Sequence, residues 1–149
     1  SNETMNLVLE HKRLHERLLA YWQDARGKRP FPSEKDIDPE ALGDVWDSCF
    51  LLQVTPEGFS YAYLGESLVK AYGDDLTNRD VCSTLVEPKS ASMAQKCSEV
   101  VKQKTQMIDE SEFVNTMGMR IKYRSCLLPL GDSKDKVNYI LGAMRWKAV

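Results

Sequence analysis

Two stretches of alternating residues face each other across a short loop in the C-terminal third of the chain, and they restrict the fold more than any other feature. With the loop centred on Met117 and Gly118, one register brings together Glu110 with Arg124, Glu112 with Lys122, and Phe113 with Ile121. Opposite charges then share one face and apolar side chains share the other, which is how cross-strand pairs stabilise a sheet. The pattern predicts an antiparallel hairpin with a solvated, neutralised outer face.

Periodicity along the rest of the chain predicts an α+β fold. The predicted strands are residues 50–55, 59–64, 107–114, 120–130 and 137–146, and the predicted helices are residues 5–24, 38–46, 67–72 and 88–104. Asp38 is the predicted N-cap of the second helix, with Pro39 in its first turn. Alternation in the first two strands places Phe50, Leu52, Val54, Phe59, Tyr61 and Tyr63 on one inner face. We therefore predict a five-stranded antiparallel sheet with helices inserted between its second and third strands.

The N-terminal helix carries a narrow apolar stripe that recurs at spacings of four and three. Its members are Leu7, His11, Leu14, Leu18 and Tyr21. A single helix cannot bury such a stripe alone, so it packs either on its own domain or on a second copy of the chain. The spacing makes these residues candidates for a homodimer contact. Gly27 and Pro30 end the helix, which divides the chain into a flanking helix at 1–26, a linker-like stretch at 27–35 and one domain over 27–149.

Size and charge restrict the class of protein. The chain has 149 residues, which suits one domain with one core. Its 20 basic and 22 acidic residues give a net charge of −2, so no long-range field draws it to nucleic acid or to an anionic membrane. No apolar run approaches the roughly 20 residues that a membrane span needs. We expect a cytoplasmic protein.

Residues for catalysis or metal binding do not cluster in the sequence. The two histidines, His11 and His15, share the N-terminal helix and lack a third ligand or an HExxH glutamate. The four cysteines show no CxxC spacing, which favours buried reduced thiols. No nucleophile lies beside a histidine and an acid, and no phosphate-binding glycine motif occurs. The sequence predicts no catalytic residues, no metal and no cofactor.

Several short motifs follow one another in an order that matches a known family. They are Tyr21-Trp22, Arg26-Gly27 before Pro30, Asp36-Ile37-Asp38-Pro39, Phe50-Leu51-Leu52, the segment from Phe59 to Leu68, and the turn from Tyr72 to Arg79. In this order, from about Leu18 to Trp146, the chain resembles the small bacterial PAS-like domains seen mainly in alphaproteobacteria. The resemblance implies a sensory fold.

This chain departs from the family pattern at several positions. Such domains often have an Arg where this chain has Ala62, so a shared polar ligand contact is not carried over. Asn78 replaces the Gly that ends the Leu-Thr-Gly turn, and Asn is the next best residue for a left-handed backbone position. The cysteine motif of flavin-binding light sensors is not matched around Cys82, and no histidine lies in the core to hold a haem.

Tyrosines and small residues would surround the space between sheet and helices. These pocket candidates are Tyr61, Tyr63, Tyr72, Met93, Cys97, Tyr123, Ser125 and Tyr139. They form either a small-molecule pocket or a packed core with its hydroxyls satisfied at the rim. The favoured function is a non-catalytic sensor or interaction module that binds an unidentified small molecule, dimerises and signals to a separate protein. The alternatives are a small enzyme with a Tyr/Asp-lined cavity and, with no basic stripe to support it, a nucleic-acid accessory factor.

Overall fold

A computed structural model describes the backbone of residues 2–81 and 91–149 and the side chains of residues 13–81 and 92–149. Its α-helices are α1 (Asn2–Arg26), α2 (Pro39–Leu42), α3 (Glu66–Tyr72) and α4 (Ala91–Gln103), with 3-10 helices at Glu34–Asp36 and Gly43–Ser48. Its strands are β1 (Cys49–Thr55), β2 (Gly58–Leu64), β3 (Met107–Val114), β4 (Arg120–Leu130) and β5 (Tyr139–Ala148).

The strands form one sheet in the order β2-β1-β5-β4-β3, and neighbouring strands are antiparallel. α3 and α4 come between β2 and β3 along the chain, so the predicted α+β architecture is confirmed. The predicted hairpin register is also confirmed, since Glu110 pairs with Arg124 and Phe113 with Ile121. β5 begins and ends two residues later than predicted.

Local sequence explains why several elements begin and end where they do. The Asp38 carboxylate accepts a hydrogen bond from the backbone N–H of Glu40, and Pro39 occupies the first turn of α2. This is the predicted cap, in which a side-chain oxygen satisfies an N–H that has no partner within the helix. At the turn after α3, Asn78 has φ 69°, which confirms the predicted left-handed position. Its backbone N–H bonds to the Tyr61 carbonyl at 2.7 Å.

The sheet has an inner face covered by α3 and α4 and an outer face half covered by α1. Strand register assigns alternate residues of β4 to the two faces: Ile121, Tyr123, Ser125 and Leu127 point inward, and Cys126, Leu128 and Leu130 point outward beneath α1. Trp22 anchors α1 there, because its indole N–H donates to the Pro129 carbonyl at 2.9 Å. β3 begins opposite Leu127. No residue of β3 therefore pairs with Pro129, and its carbonyl is available to Trp22.

The buried stripe of α1 differs from the prediction. Leu14, Leu18 and Trp22, spaced four apart, are buried in the core of their own chain. Leu14 and Leu18 were expected at a dimer contact, and the single chain already buries them because the outer sheet face offers an apolar surface. Tyr21 lies beside the stripe, where its hydroxyl donates to the Asp36 carbonyl and accepts from the Asp38 N–H. The side chains of Leu7 and His11 lie outside the described residues.

The stretch at 27–35 reads as a linker in the sequence, but its residues 31–33 are buried against the domain. Phe31 is 2% exposed and joins the core. The Pro32 carbonyl accepts a hydrogen bond from the Gly131 N–H at 2.9 Å. A Cβ at Gly131 would lie 2.8 Å from the Phe31 ring, so the glycine permits this close approach. The stretch therefore joins α1 to the domain as part of one core, and the division at residue 26 stays a prediction.

Candidate functional site

A line of aromatic rings crosses the layer between α3 and the inner sheet face. The hydroxyls of Tyr61 in β2 and Tyr72 in α3 lie 3.3 Å apart. The Tyr72 ring stacks on Phe113 with centroids 5.0 Å apart, and Phe113 meets Tyr123 at 5.7 Å. All four side chains are buried. Offset and tilted ring contacts of this kind stabilise beyond the area they bury, so the line connects one edge of the sheet to the other through α3.

A buried carboxylate ends this line. Asp109 in β3 is 1% exposed. One of its oxygens accepts a hydrogen bond from the Tyr123 hydroxyl, and the other accepts from the Ser92 hydroxyl at 2.6 Å. Ser92 lies in the first turn of α4, where helix N–H groups favour a negative charge. Asp109 therefore joins the sheet to the beginning of α4.

Tyr123 acts as a hydrogen-bond donor in this cluster. Burial is the main cause that raises the pKa of its hydroxyl, and the hydrogen bond to Asp109 and its negative charge raise the pKa further. The phenol therefore stays protonated, and its O–H donates a charge-assisted hydrogen bond to the carboxylate. A buried carboxylate without such donors would cost several kcal/mol. The pair is thus a fixed polar element in an otherwise aromatic layer.

Six of the eight predicted pocket residues come together on the inner side. Tyr61, Tyr72, Met93, Cys97, Tyr123 and Ser125 are all buried between the sheet and the two helices. Cys49, Cys97 and Cys126 are buried, as predicted, and Cys82 lies outside the described residues. Burial raises the pKa of Cys126 to about 11 and that of Cys49 further still, so these two thiols are poor nucleophiles.

Tyr63 does not belong to this group, because a β-bulge reverses the end of β2. Leu52 pairs with Tyr61, but Leu51 pairs with Tyr63, so the extra residue Ala62 shifts the register. The bulge turns Tyr63 to the outer face. There its ring stacks on Trp46 with centroids 4.2 Å apart, and its hydroxyl donates to the Trp46 carbonyl.

Tyr139 is the second predicted pocket residue that the fold places elsewhere. It pairs with Leu130 and Gln53, on the outer face, and it is half-buried. The inner position belongs to its neighbour Ile140, which is fully buried. The prediction was wrong because the sequence does not show which residue of a uniformly apolar strand faces which side.

Asp109 is the residue that sequence reasoning missed. The sequence prediction placed Glu110 and Glu112 of β3 on the outer face and did not consider Asp109. The signal was present, because Asp109 has the same parity as the inward-facing Phe113. Alternation alone therefore predicts a buried carboxylate at this position.

Comparisons with known proteins agree with this architecture. A family model described as "PAS domain" matches residues 10–145. A search of curated protein sequences finds no match. Among the described helices, none is long and apolar enough to cross a membrane.

Solved structures share the fold at low sequence identity. A Rhodobacter sphaeroides LOV protein has a TM-score of 0.56 and 11% identity, over 66% of this chain and 57% of that chain. This chain therefore spans little more than half the length of that relative. The PAS domain of the fruit-fly ELK potassium channel has a TM-score of 0.55 and 15% identity, over 71% of this chain and 90% of the other.

A LOV domain from the Erythrobacter litoralis EL346 blue-light activated histidine kinase is a third similar structure. Its TM-score is 0.57 at 11% identity, over 68% of this chain and 96% of that chain. At these identities the likeness concerns the fold alone. The family match covers nearly the whole chain, from within α1 to within β5. The chain belongs to the PAS domain family.

Proposed function

We propose that this chain is a sensory or protein-interaction domain without catalytic chemistry of its own. It responds to a small-molecule ligand, to dimerisation, or to both, and it signals to a separate partner protein in the cytoplasm. The observation that carries the proposal is the buried cluster around Asp109. Asp109, Tyr123 and Ser92 link α4 to the sheet, and Tyr72 links α3 to it. We propose that a change at these contacts would shift the helix that each one holds.

The Tyr61–Tyr72 hydroxyl pair is the proposed contact for a ligand. The two hydroxyls are buried in an aromatic environment, and binding sites for small molecules typically combine apolar walls with a few polar tips. We propose that the protein as isolated holds no haem, flavin or metal ion. A visible absorption band or stoichiometric metal in the purified sample would contradict this.

A small enzyme is the second candidate, and Asp109 is the observation that favours it. An acid-base enzyme needs a buried carboxylate near a reacting group, and Asp109 is buried beside Tyr123. However, both carboxylate oxygens already accept hydroxyl hydrogen bonds. The geometry of the described residues therefore favours a carboxylate that joins α4 to β3.

Native mass spectrometry of the purified protein tests the sensor proposal directly. The chain mass is 17.0 kDa, so a homodimer and a retained small molecule are both visible as mass differences. If a ligand is retained, Tyr72→Phe should lower its occupancy, because it removes a buried inner-face hydroxyl. Tyr139→Phe, which removes an outer-face hydroxyl, should not. A bare monomer in every preparation would contradict both ligand retention and dimerisation.

A further inference from the structure

One half of the outer sheet face is strongly basic, which the hairpin alone did not reveal. The hairpin pattern predicted a neutralised face of matched pairs from β3 and β4. β5 adds two more cations beside them, because Arg145 pairs with Arg124 and Lys147 pairs with Lys122. The cations of this basic face are Arg120, Lys122 and Arg124 from β4 and Arg145 and Lys147 from β5.

Two carboxylates in β3 neutralise only part of this basic face. Glu110 pairs with Arg124 at 3.2 Å, and Glu112 lies 3.7 Å from Arg120. Lys122, Lys147 and Arg145 have no carboxylate partner among the described residues. The chain as a whole has a net charge of −2, so an excess of cations on one small area is a local segregation of charge.

The pairing within the basic face is unfavourable for folding. Two lysines lie directly opposite each other, and so do two arginines, and like charges in such positions repel. The Arg145 guanidinium lies opposite that of Arg124. Two neighbouring guanidinium groups are complementary to a carboxylate that bridges them.

We propose that the basic face docks an acidic segment of a separate partner protein. From Arg120 to Arg124 the face is about 13 Å long at the usual rise of a strand, which suits a short run of Asp and Glu side chains. Base stacking would need aromatic rings, and the described residues of this face supply none. The docking proposal depends on the proposed function only in assuming a separate signalling partner.

Fluorescence anisotropy with a labelled octaglutamate peptide tests this surface. The test variant is Lys122→Gln/Arg145→Gln/Lys147→Gln, which removes the three cations that lack a carboxylate partner. The matched control is Lys70→Gln/Lys134→Gln/Lys136→Gln, which removes three exposed cations away from the face. We expect the test variant to weaken peptide binding at least tenfold and the control to change it less than twofold. Binding should also weaken as salt is raised, because exposed charges are screened.

The other outcomes overturn the proposal. No peptide binding by the wild type, or an equal loss in both variants, would show that the face is not a docking surface. Tighter binding of an unlabelled oligothymidylate, or of vesicles with phosphatidylserine, would assign it to nucleic acid or lipid. Salt-sensitive self-association lost in the test variant would assign it to a second copy. A melting curve confirms that each variant is folded. Failure here leaves ligand retention and dimerisation, which mass spectrometry measures separately, unaffected.

Discussion

The hydrogen bond from Tyr123 to Asp109 gives the most direct prediction about the core. Tyr123→Phe keeps the ring against Phe113 and removes only the hydroxyl that Asp109 accepts. Asp109 is 1% exposed, so water cannot replace the lost donor, and Ser92 remains as the other side-chain donor to the carboxylate. The substitution therefore isolates one charge-assisted contact.

The size of the effect follows from the charge of the acceptor. Hydrogen bonds to charged groups contribute about 1.5 to 3 kcal/mol, against about 1 kcal/mol for neutral pairs. We expect Tyr123→Phe to lower the free energy of unfolding by about 2 kcal/mol. For a chain of this size that lowers the Tm by about 4 to 8 °C.

Urea unfolding and thermal melting at pH 7 measure this loss, and Tyr139→Phe is the matched control. The Tyr139 hydroxyl lies on the outer face of a half-buried residue, so its removal should cost less than about 0.5 kcal/mol. Asp109→Asn should cost less in the Tyr123→Phe background than in the wild type, because the two groups are coupled. Equal stabilities for Tyr123→Phe and Tyr139→Phe would refute the reasoning.

Three further predictions concern α1, the turn after α3 and alkaline pH. Leu14→Glu should destabilise the monomer by about 3 kcal/mol or more, because it places a charge in the core, whereas Leu7→Glu should leave the fold intact and break the proposed dimer. Circular dichroism measures the fold and light scattering measures the dimer. A folded Leu14→Glu monomer would contradict the packing of α1. Asn78→Val should cost about 1 kcal/mol or more at φ 69° while Asn78→Gly is neutral or slightly stabilising, and equal Tm values would argue against it. Burial raises the pKa of Tyr63 to about 12 and also raises that of Tyr123, whereas an unfolded tyrosine ionises near pH 10. The protonated tyrosines therefore contribute their full stabilisation below about pH 10, and this contribution is lost as pH rises towards 12. In urea unfolding, the free energy of unfolding should fall less at alkaline pH for Tyr123→Phe than for the wild type. A wild-type free energy of unfolding that does not change from pH 8 to 11 would contradict this.

Sequence reasoning succeeded where two independent patterns agreed. The hairpin of β3 and β4 was predicted in register because charge pairing and apolar pairing specify the same alignment. The cap at Asp38 and the left-handed turn at Asn78 were predicted because each depends on the chemistry of one residue in its local backbone. These features need no knowledge of distant parts of the chain.

The predictions that failed depend on long-range pairing. The bulge at Ala62 appears only when β1 is aligned with β2, so Tyr63 was assigned to the wrong face. The excess of cations appears only when β5 is placed beside β4, since Arg145 and Lys147 are 21 and 25 residues from the β4 cations they face. Tyr21 and Trp22 are adjacent and both aromatic, and which of them is buried depends on the angle at which α1 crosses the sheet.

The bulge in β2 determines which side chains of this strand enter the core. One additional residue, Ala62, lets a single strand send Tyr61 inward, Tyr63 outward and Leu64 inward again. A regular β2 that ran through Ala62 without the bulge would keep every side chain and yet exchange the faces of those that follow Ala62. A core leucine would then meet solvent, and a tyrosine that hydrogen-bonds to Trp46 would enter the apolar layer. Deleting Ala62 would not have this effect, because Tyr61 and Tyr63 already pair with the adjacent residues Leu52 and Leu51, and the shortened strand would pair regularly with the same faces.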